Sequence, residues 1–465
     1  MIKRSGIVAF VLESIVLIIS LMLSVDWQFA LTIMIWCLML VYVVQDYNNR
    51  IVLGAFIGTF FIFLLGAYVC YQYLHYDNDV VLFNSEIMKH IYFTLNLALI
   101  SVWIGFAFAE KKSKNRKKNE ANEQMTSYSN IVKRLSKWGY FLCYLPYIAV
   151  LLEKVVYVGG SGYTGVYLGY NSSFPYIIRL LANMAPMMLF IFLSTLPTKK
   201  ECKIPLLLYI LYLGVSLGSG QRSDFVIGIL VIGIYYFFRN TLSNNGEKWI
   251  TKKEILLVVI LGPILLLFLN FYGNIRFGEN QSSENAILDI FTSQGVSVSV
   301  IGYERVYANS IPDSKLYSIG GIIDFLKYNP VSSSLFHFVE YTGQNAERAL
   351  NGNSMAHIIS YFVLPFNYNL GRGLGSCYLA ELFHDFGYIG VILGNILYGI
   401  VIKSCSNFNK YKIWGRYICF VMISAILLAP RSTTDGFISE LFGMEVWGTA
   451  LIVWILSNYI YKRRI

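Results

Sequence analysis

The sequence predicts an all-α polytopic membrane protein of about twelve transmembrane helices, with one large extracytoplasmic loop. Three observations predict it. The 465 residues are 56% hydrophobic and only 14% charged, against about 25% charge in an ordinary globular domain. Apolar runs of about 18 residues or more, long enough to cross a bilayer as helix, recur along the chain. Lysine and arginine fall in alternate connections between these runs, the asymmetry that sets the orientation of membrane helices. No segment is polar enough to fold apart, so 1–465 reads as a single membrane domain.

The first run, in "MIKRSGIVAFVLESIVLIISLMLSVDW", has a basic start and an apolar core. It lacks a small-x-small cleavage pattern and a second run follows it directly, so it reads as a retained span, 6–24. Further spans are expected at 27–45, 51–74, 87–109, 138–158, 175–196, 204–218, 224–239, 254–272, 376–402, 413–430 and 440–461. The short pair 204–218 and 224–239 reads as a helical hairpin with a broken tip. With both termini cytoplasmic, the inner connections hold 26 of the 37 lysines and arginines. The basic cytoplasmic loop 110–137, with "EKKSKNRKKNEANEQMTS", contributes most. It serves as a topogenic signal or touches acidic lipid headgroups. The net charge of +10 therefore calls for no nucleic-acid partner.

One outer connection is long. Residues 273–375 form a large extracytoplasmic loop containing amphipathic stretches such as "NAILDIFTSQGVSVSVIGY", "IGGIIDFLKY", "SSSLFHFVEY" and "MAHIISYFVLPF". These are expected to form short helices on the outer membrane surface and to fold back as a cap. The seven cysteines lie mostly in apolar runs without a C-x-x-C pair, so neither a disulfide framework nor a zinc site is expected. No internal repeat supports an inverted-repeat transporter.

Chemistry is expected at the outer face. Eleven basic residues, Lys154 among them, remain outside the inner connections, and seven are arginines. Four mark the outer ends of spans: Arg222 in "GSGQRSD", Arg276 in "YGNIRFGEN", Arg372 in "NLGRGLGS" and Arg431 in "LAPRSTTDG". An arginine in hydrocarbon costs about 2.5–3.5 kcal/mol unless it snorkels or is paired. Four at one level point to a shared anion such as pyrophosphate, which guanidinium binds bidentately. Snorkelling to headgroups, or pairing with Asp224 and Asp435, is the alternative. Glycines beside Arg222 and Arg372 leave backbone amides free to approach an anion.

Acid–base candidates on that face are His337 and His357 in the long loop, His384 beside Asp385, and the carboxylates Glu340, Glu347, Glu381, Asp385 and Asp435. Glu381 and Asp385 would share one helix face at i, i+4. No His/Cys cluster has metal-ligand spacing, and "DND" at 77–79 is a poor metal motif, so no metal is assigned. Tyrosines of the loop, such as Tyr303, Tyr307, Tyr317, Tyr328, Tyr341 and Tyr361, either stack on sugar rings or belong to the interfacial belt.

Two stretches, "LGSGQRSDFVIGIL" and "GRGLGSCYLAELFHDFGYIGVILGNILYG", together with many spans and one large late loop, give the chain a family likeness. It resembles the Wzy-type polymerases of O-antigen and capsular polysaccharide repeat units. The resemblance covers most of the length as architecture. It implies a GT-C-like membrane glycosyltransferase, similar in fold to the O-antigen ligases and SEDS polymerases, in the bacterial cytoplasmic (inner) membrane. The substrates would be undecaprenyl-pyrophosphate-linked oligosaccharides, with membrane lipids around them and no metal, nucleotide or other cofactor. Whether a chain-length regulator binds is left open. By the resemblance Arg222 matches the hairpin arginine, and Arg276 looks like the second basic residue at the start of the large loop. Arg372 and Arg431 would complete the pyrophosphate-binding set, and the catalytic base would be His357, His337 or Glu381. An O-antigen-type ligase is the nearest alternative. A lipid-linked oligosaccharide flippase would instead want charges along a central cavity and short outer loops.

Overall fold

The computed structural model describes residues 2–115, 127–161, 165–166, 170–220, 222–242, 247–254, 256, 285–339, 341 and 343–463. These residues are helical throughout their ordered elements, without a strand among them. Ten of their helices are long and apolar enough to cross a membrane, or eleven if the bent pair Gly436–Phe442 and Met444–Lys462 counts as one span. The chain is a multi-pass membrane protein. The first expected span is the helix Ile2–Met22, whose apolar part, Gly6–Met22, is short. The ninth, 254–272, lies almost wholly outside the described residues, as do Arg276, Glu340 and most of the basic stretch of loop 110–137.

Contacts divide the chain into two compact units. The first comprises Met1–Lys117, Leu256–Ser406 and Ile426–Gly436, the second Lys118–Ile255, Asn407–Ala425 and Phe437–Ile465. In the first, the helices Ser85–Asn115 and Tyr378–Ser406 cross in close backbone contact. A Cβ on Gly399 would lie 2.2 Å from the Val102 carbonyl oxygen, and one on Gly105 would lie 2.1 Å from that of Ile396. Glycine is required at both positions, as in other membrane helix pairs that meet without side chains between them.

Four helices of this unit are tied at one end by charge. Arg50 Nη2 lies 2.9 Å from Glu110 Oε2, Tyr42 OH donates to the same oxygen at 2.7 Å, and Lys403 Nζ lies 3.9 Å from Oε1. Arg50, Glu110 and Lys403 are all buried. They come from the connections expected at 45–50, 110–137 and 403–416, so three connections that the hydropathy pattern puts on one side do meet at one end of the unit. Removing one member of such a set leaves a buried charge uncompensated, at a cost of about 3–5 kcal/mol.

The stretch "NAILDIFTSQGVSVSVIGY" differs from its expectation. Rather than lying on a surface, Ala286–Gln294 and Val296–Val306 pack among the helices of the first unit and together are long and apolar enough to span. Small residues allow it. A Cβ on Gly295 would lie 2.4 Å from Ala67 Cβ, and one on Gly302 would lie 2.4 Å from the Phe83 ring. Tyr76 OH and Asn78 Nδ2 donate to the buried Asp289, fastening the "DND" turn to the start of this helix.

In the second unit the helices Ser127–Ser161 and Tyr176–Ser194 pack along their lengths, and Met444–Lys462 packs against both. Tyr417 OH donates to the Val446 carbonyl at 2.8 Å, and the Phe190 and Phe420 rings stack at 5.2 Å. The pair Lys199–Ser216 and Arg222–Leu242 forms the expected hairpin.

Candidate functional site

The helix Tyr378–Ser406 carries the buried charge cluster at Lys403 and a second polar centre at Glu381, roughly 30 Å back along the chain at 1.5 Å per residue. It is broken at Gly387, whose φ of 60° and ψ of −155° only glycine adopts readily. The residues after the break suffice to cross the hydrocarbon, at roughly 28 Å. Tyr378–Phe386 therefore forms a separate short helix at the end where the polar residues gather.

Glu381 is fully buried and uses both oxygens. Ser376 Oγ donates to Oε1 at 2.6 Å, and the Thr434 amide donates to Oε2 at 2.7 Å. Thr434 Oγ1 donates to the Tyr378 carbonyl at 3.0 Å, while Tyr398 OH donates to the Thr434 carbonyl at 2.6 Å. The segment 431–435 is thereby stapled to the helix. At one end of the segment, Asp435 accepts the Ile322 amide at 2.8 Å, and burial raises its carboxyl above the usual carboxylate range. At the other end, Arg431 Nη1 donates to Gln294 Oε1 at 2.6 Å, and its guanidinium lies 5.7 Å from the Phe63 ring centroid. Phe63 sits on a π-helical turn, Phe61–Leu65, inside the Tyr47–Leu74 span. Such widened turns recur at functional sites.

The "GRGLG" loop packs against this segment. Gly371 and Gly375 take positive φ, 86° and 80°, and a Cβ on Gly375 would lie 3.6 Å from the Arg431 carbonyl oxygen. The Leu374 amide donates to Ser360 Oγ at 3.0 Å, which pins the loop to the helix Met355–Val363. Arg372 is exposed on the loop, its amide bonded to the Asn367 carbonyl at 2.9 Å. His357 lies on the same face of the helix as Ser360, with Nδ1 2.9 Å from Tyr368 OH.

The structure therefore gathers Glu381, Arg431, the Arg372 loop and the His357 helix through a short chain of hydrogen bonds. His337 is not among them in that chain; it is exposed, with φ of 52°, just after the helix Pro330–Phe336. Arg222 belongs to the second unit, where it opens the helix Arg222–Leu242 just after Gly220 turns with φ of 80°. A Cβ on Gly218 would lie 2.9 Å from Val155 Cγ1, so the hairpin tip rests on the helix Ser127–Ser161 beside Lys154. Lys154 and Asp224 feel each other's charge. Lys154, not among the four arginines singled out, is thus a further cation at the tip.

Burial, aided by the charge of Arg348, pushes the His357 imidazole down to about 4 from an ordinary 6.5. It is neutral at pH 7. Between about pH 6.5 and 4 the unfolded chain binds a proton here that the folded chain refuses. The stability contributed is full above pH 6.5 and lost as pH falls toward 4. The melting temperature of the wild type should fall more steeply over that window than that of His357→Gln. Parallel curves would contradict the burial of a neutral imidazole.

A second polar pair was not legible as a pair. Glu304, within "IGYERV", was not singled out, yet it faces His384 with Oε1 3.3 Å from Nδ1, and both side chains are largely shielded from solvent. A carboxylate one helical turn after the fully buried Val300 and Ile301 was the available signal. Among the described residues no group of three or more His, Cys, Asp or Glu side chains is arranged to hold a metal ion.

Fold and site together define a multi-pass membrane protein with arginines and a buried carboxyl centre set at helix ends. The model of the O-antigen polysaccharide polymerase Wzy family matches residues 5–464, and the chain belongs to that family. No curated protein and no solved structure matches it. The protein is a polymerase of O-antigen repeat units, an enzyme of polymerising glycosyltransferase type that acts on lipid-linked oligosaccharides.

Proposed function

We propose that the polymerase transfers a growing glycan from undecaprenyl pyrophosphate to a hydroxyl of a second lipid-linked repeat unit, at the outer face of the bacterial cytoplasmic membrane, without a metal. Both termini are then cytoplasmic, as the lysine and arginine pattern requires. The observation that carries the reading is the seating of Arg431: fixed by Gln294, its backbone against the glycine loop that bears Arg372. A guanidinium held before the substrate arrives loses little freedom on binding a phosphate and stabilises charge as it develops on the departing pyrophosphate. Arg372 is the exposed partner on the loop. Arg222, with the first amides of its helix and Lys154 nearby, is a phosphate ligand of the second unit. Arg276 keeps the role that the family likeness gives it.

In the reaction the acceptor O–H loses its proton to a side-chain base while its oxygen attacks the anomeric carbon. The bond from that carbon to the pyrophosphate oxygen breaks, and the electron pair leaves with undecaprenyl pyrophosphate. Glu381, with both oxygens engaged by neutral donors, positions the 431–435 segment. His357, held neutral on the helix that carries the glycine loop, faces Tyr368.

The test is polymerisation by detergent-purified protein on its own undecaprenyl-pyrophosphate repeat units in EDTA, read as a ladder on a gel. Arg431→Ala and Arg222→Ala, with wild-type melting temperatures, should each lower the rate about 100-fold, the scale of losing one preorganised charge contact. A wild-type ladder that disappears in EDTA would overturn metal independence. A ladder unchanged by both substitutions would return the arginines to lipid headgroups.

A further inference from the structure

The Glu304–His384 pair has the form of an acid–base dyad with its working atom unused. Glu304 Oε1 faces His384 Nδ1 at 3.3 Å, which fixes the imidazole proton on Nδ1 and leaves Nε2 as the lone-pair nitrogen. Side-chain exposures are 5% for His384 and 3% for Glu304. Among the described residues, His384 Nε2, Glu304 Oε2 and the hydroxyl of Tyr317 are buried without a hydrogen-bond partner. Tyr317 packs edge-on against the His384 ring, with centroids 5.3 Å apart. Three unpartnered polar atoms on adjoining side chains are a costly arrangement in a dry interior, where such groups are nearly always paired. A hydroxyl brought to them could satisfy more than one at once.

The surroundings suit a substrate hydroxyl. His384 lies on the short helix ahead of the Gly387 break, three residues from Glu381, on the element that positions Arg431 through Thr434, and Glu304 reaches it from the helix Val296–Val306. What covers it is a loop. Asp385 accepts the amides of Tyr317 and Ser318 at 3.1 and 2.8 Å, together with the Ser318 hydroxyl at 2.6 Å, so Tyr317 is latched over His384 by the next residue in the chain.

We propose that His384 is the base that deprotonates the acceptor hydroxyl, with Glu304 as its positioning residue. This rests on the polymerase reading above. The proton passes from the acceptor oxygen to His384 Nε2 as that oxygen bonds to the anomeric carbon and the pyrophosphate departs with the electron pair. The imidazolium that forms is paired with the Glu304 carboxylate, which is why a carboxylate belongs on Nδ1. The proton then leaves to water. Of the alternatives read from sequence, His337 is exposed, Glu381 has both oxygens occupied, and His357 has its Nδ1 on Tyr368 OH.

The experiment compares His384→Gln, Glu304→Gln and Glu304→Asp with wild type and Arg431→Ala, using single-step transfer of one lipid-linked unit onto another. Folding is followed by melting temperature, and substrate dependence separates kcat from KM. His384→Gln should lose at least 100-fold in kcat and Glu304→Gln about 10-fold, with KM within twofold, while Glu304→Asp recovers part of the loss. Folded His384→Gln or Glu304→Gln protein with wild-type kcat overturns the proposal, and if Arg431→Ala is still impaired the polymerase reading survives. A fall in melting temperature with kcat intact makes the pair a structural cage for water and equally overturns it. If His384→Gln fails to fold, Glu304→Gln decides. No transfer by wild type on its own repeat units overturns the donor reading and this assignment together.

Discussion

Gly399→Leu should yield no folded protein. A Cβ at this position would lie 2.2 Å from the Val102 carbonyl oxygen and 2.6 Å from the Phe106 amide nitrogen. Both are backbone atoms of a helix and cannot turn aside. The reciprocal contact of Gly105 with Ile396 means the two helices touch backbone to backbone at one crossing. Even alanine demands separation by about 1 Å, which strips contact from Leu99, Val102, Phe106, Tyr398 and Ile402, all essentially inaccessible to solvent. Dispersion falls steeply over such a gap, so Gly399→Ala should cost about 2–4 kcal/mol, the range of overpacked or badly voided cores. For leucine the displacement exceeds what the bundle accommodates. The measurement is size-exclusion profile and melting temperature in detergent. A monodisperse Gly399→Leu protein with wild-type melting would show that the helices do not cross at these glycines.

The membrane class and nearly every described span were legible because hydrophobic length and charge alternation are local signals. The Arg50, Glu110 and Lys403 contacts bear out the alternation within one unit: residues from three distant connections meet at one end. Arg431 and Arg372 were legible as charges at span ends, Arg372 among glycines, and the structure joins their segments at Gly375. What was not legible depended on tertiary partners. Ala286–Val306 has the polarity of a surface helix, but Gly295 and Gly302 admit it between other helices, and composition does not reveal which glycines face a neighbour. Glu304 and His384 are 80 residues apart, so nothing local couples them. The role of Glu381 was obscured for a related reason, since a carboxylate at a span end reads the same whether its partners are a substrate or the protein's own Ser376 and Thr434.

That last ambiguity gives a decisive pair of variants, Glu381→Ala and Glu381→Gln. Alanine removes both acceptors from a fully buried site, leaving the Ser376 hydroxyl and the Thr434 amide without partners and a void the size of a carboxymethyl group. Each orphaned buried group costs about 1–3 kcal/mol, and the cavity adds to it. The expected result is a loss of roughly 3–5 kcal/mol and no ladder, because the segment that carries Arg431 comes loose. Glutamine has the same shape. Its carbonyl oxygen can accept the Thr434 amide, and its amide can donate to Ser376 Oγ, which is free to serve as acceptor. If Glu381 is a brace, Glu381→Gln should keep its melting temperature within a few degrees and its transfer rate within about threefold. A general base has no such tolerance, since an amide takes up no proton at neutral pH and loss of the base costs about 100-fold or more. A folded Glu381→Gln protein without activity would therefore move proton abstraction to Glu381 and remove it from His384. A folded and active one leaves the carboxyl the task its hydrogen bonds describe, holding Thr434 so that Arg431 stays on Gln294.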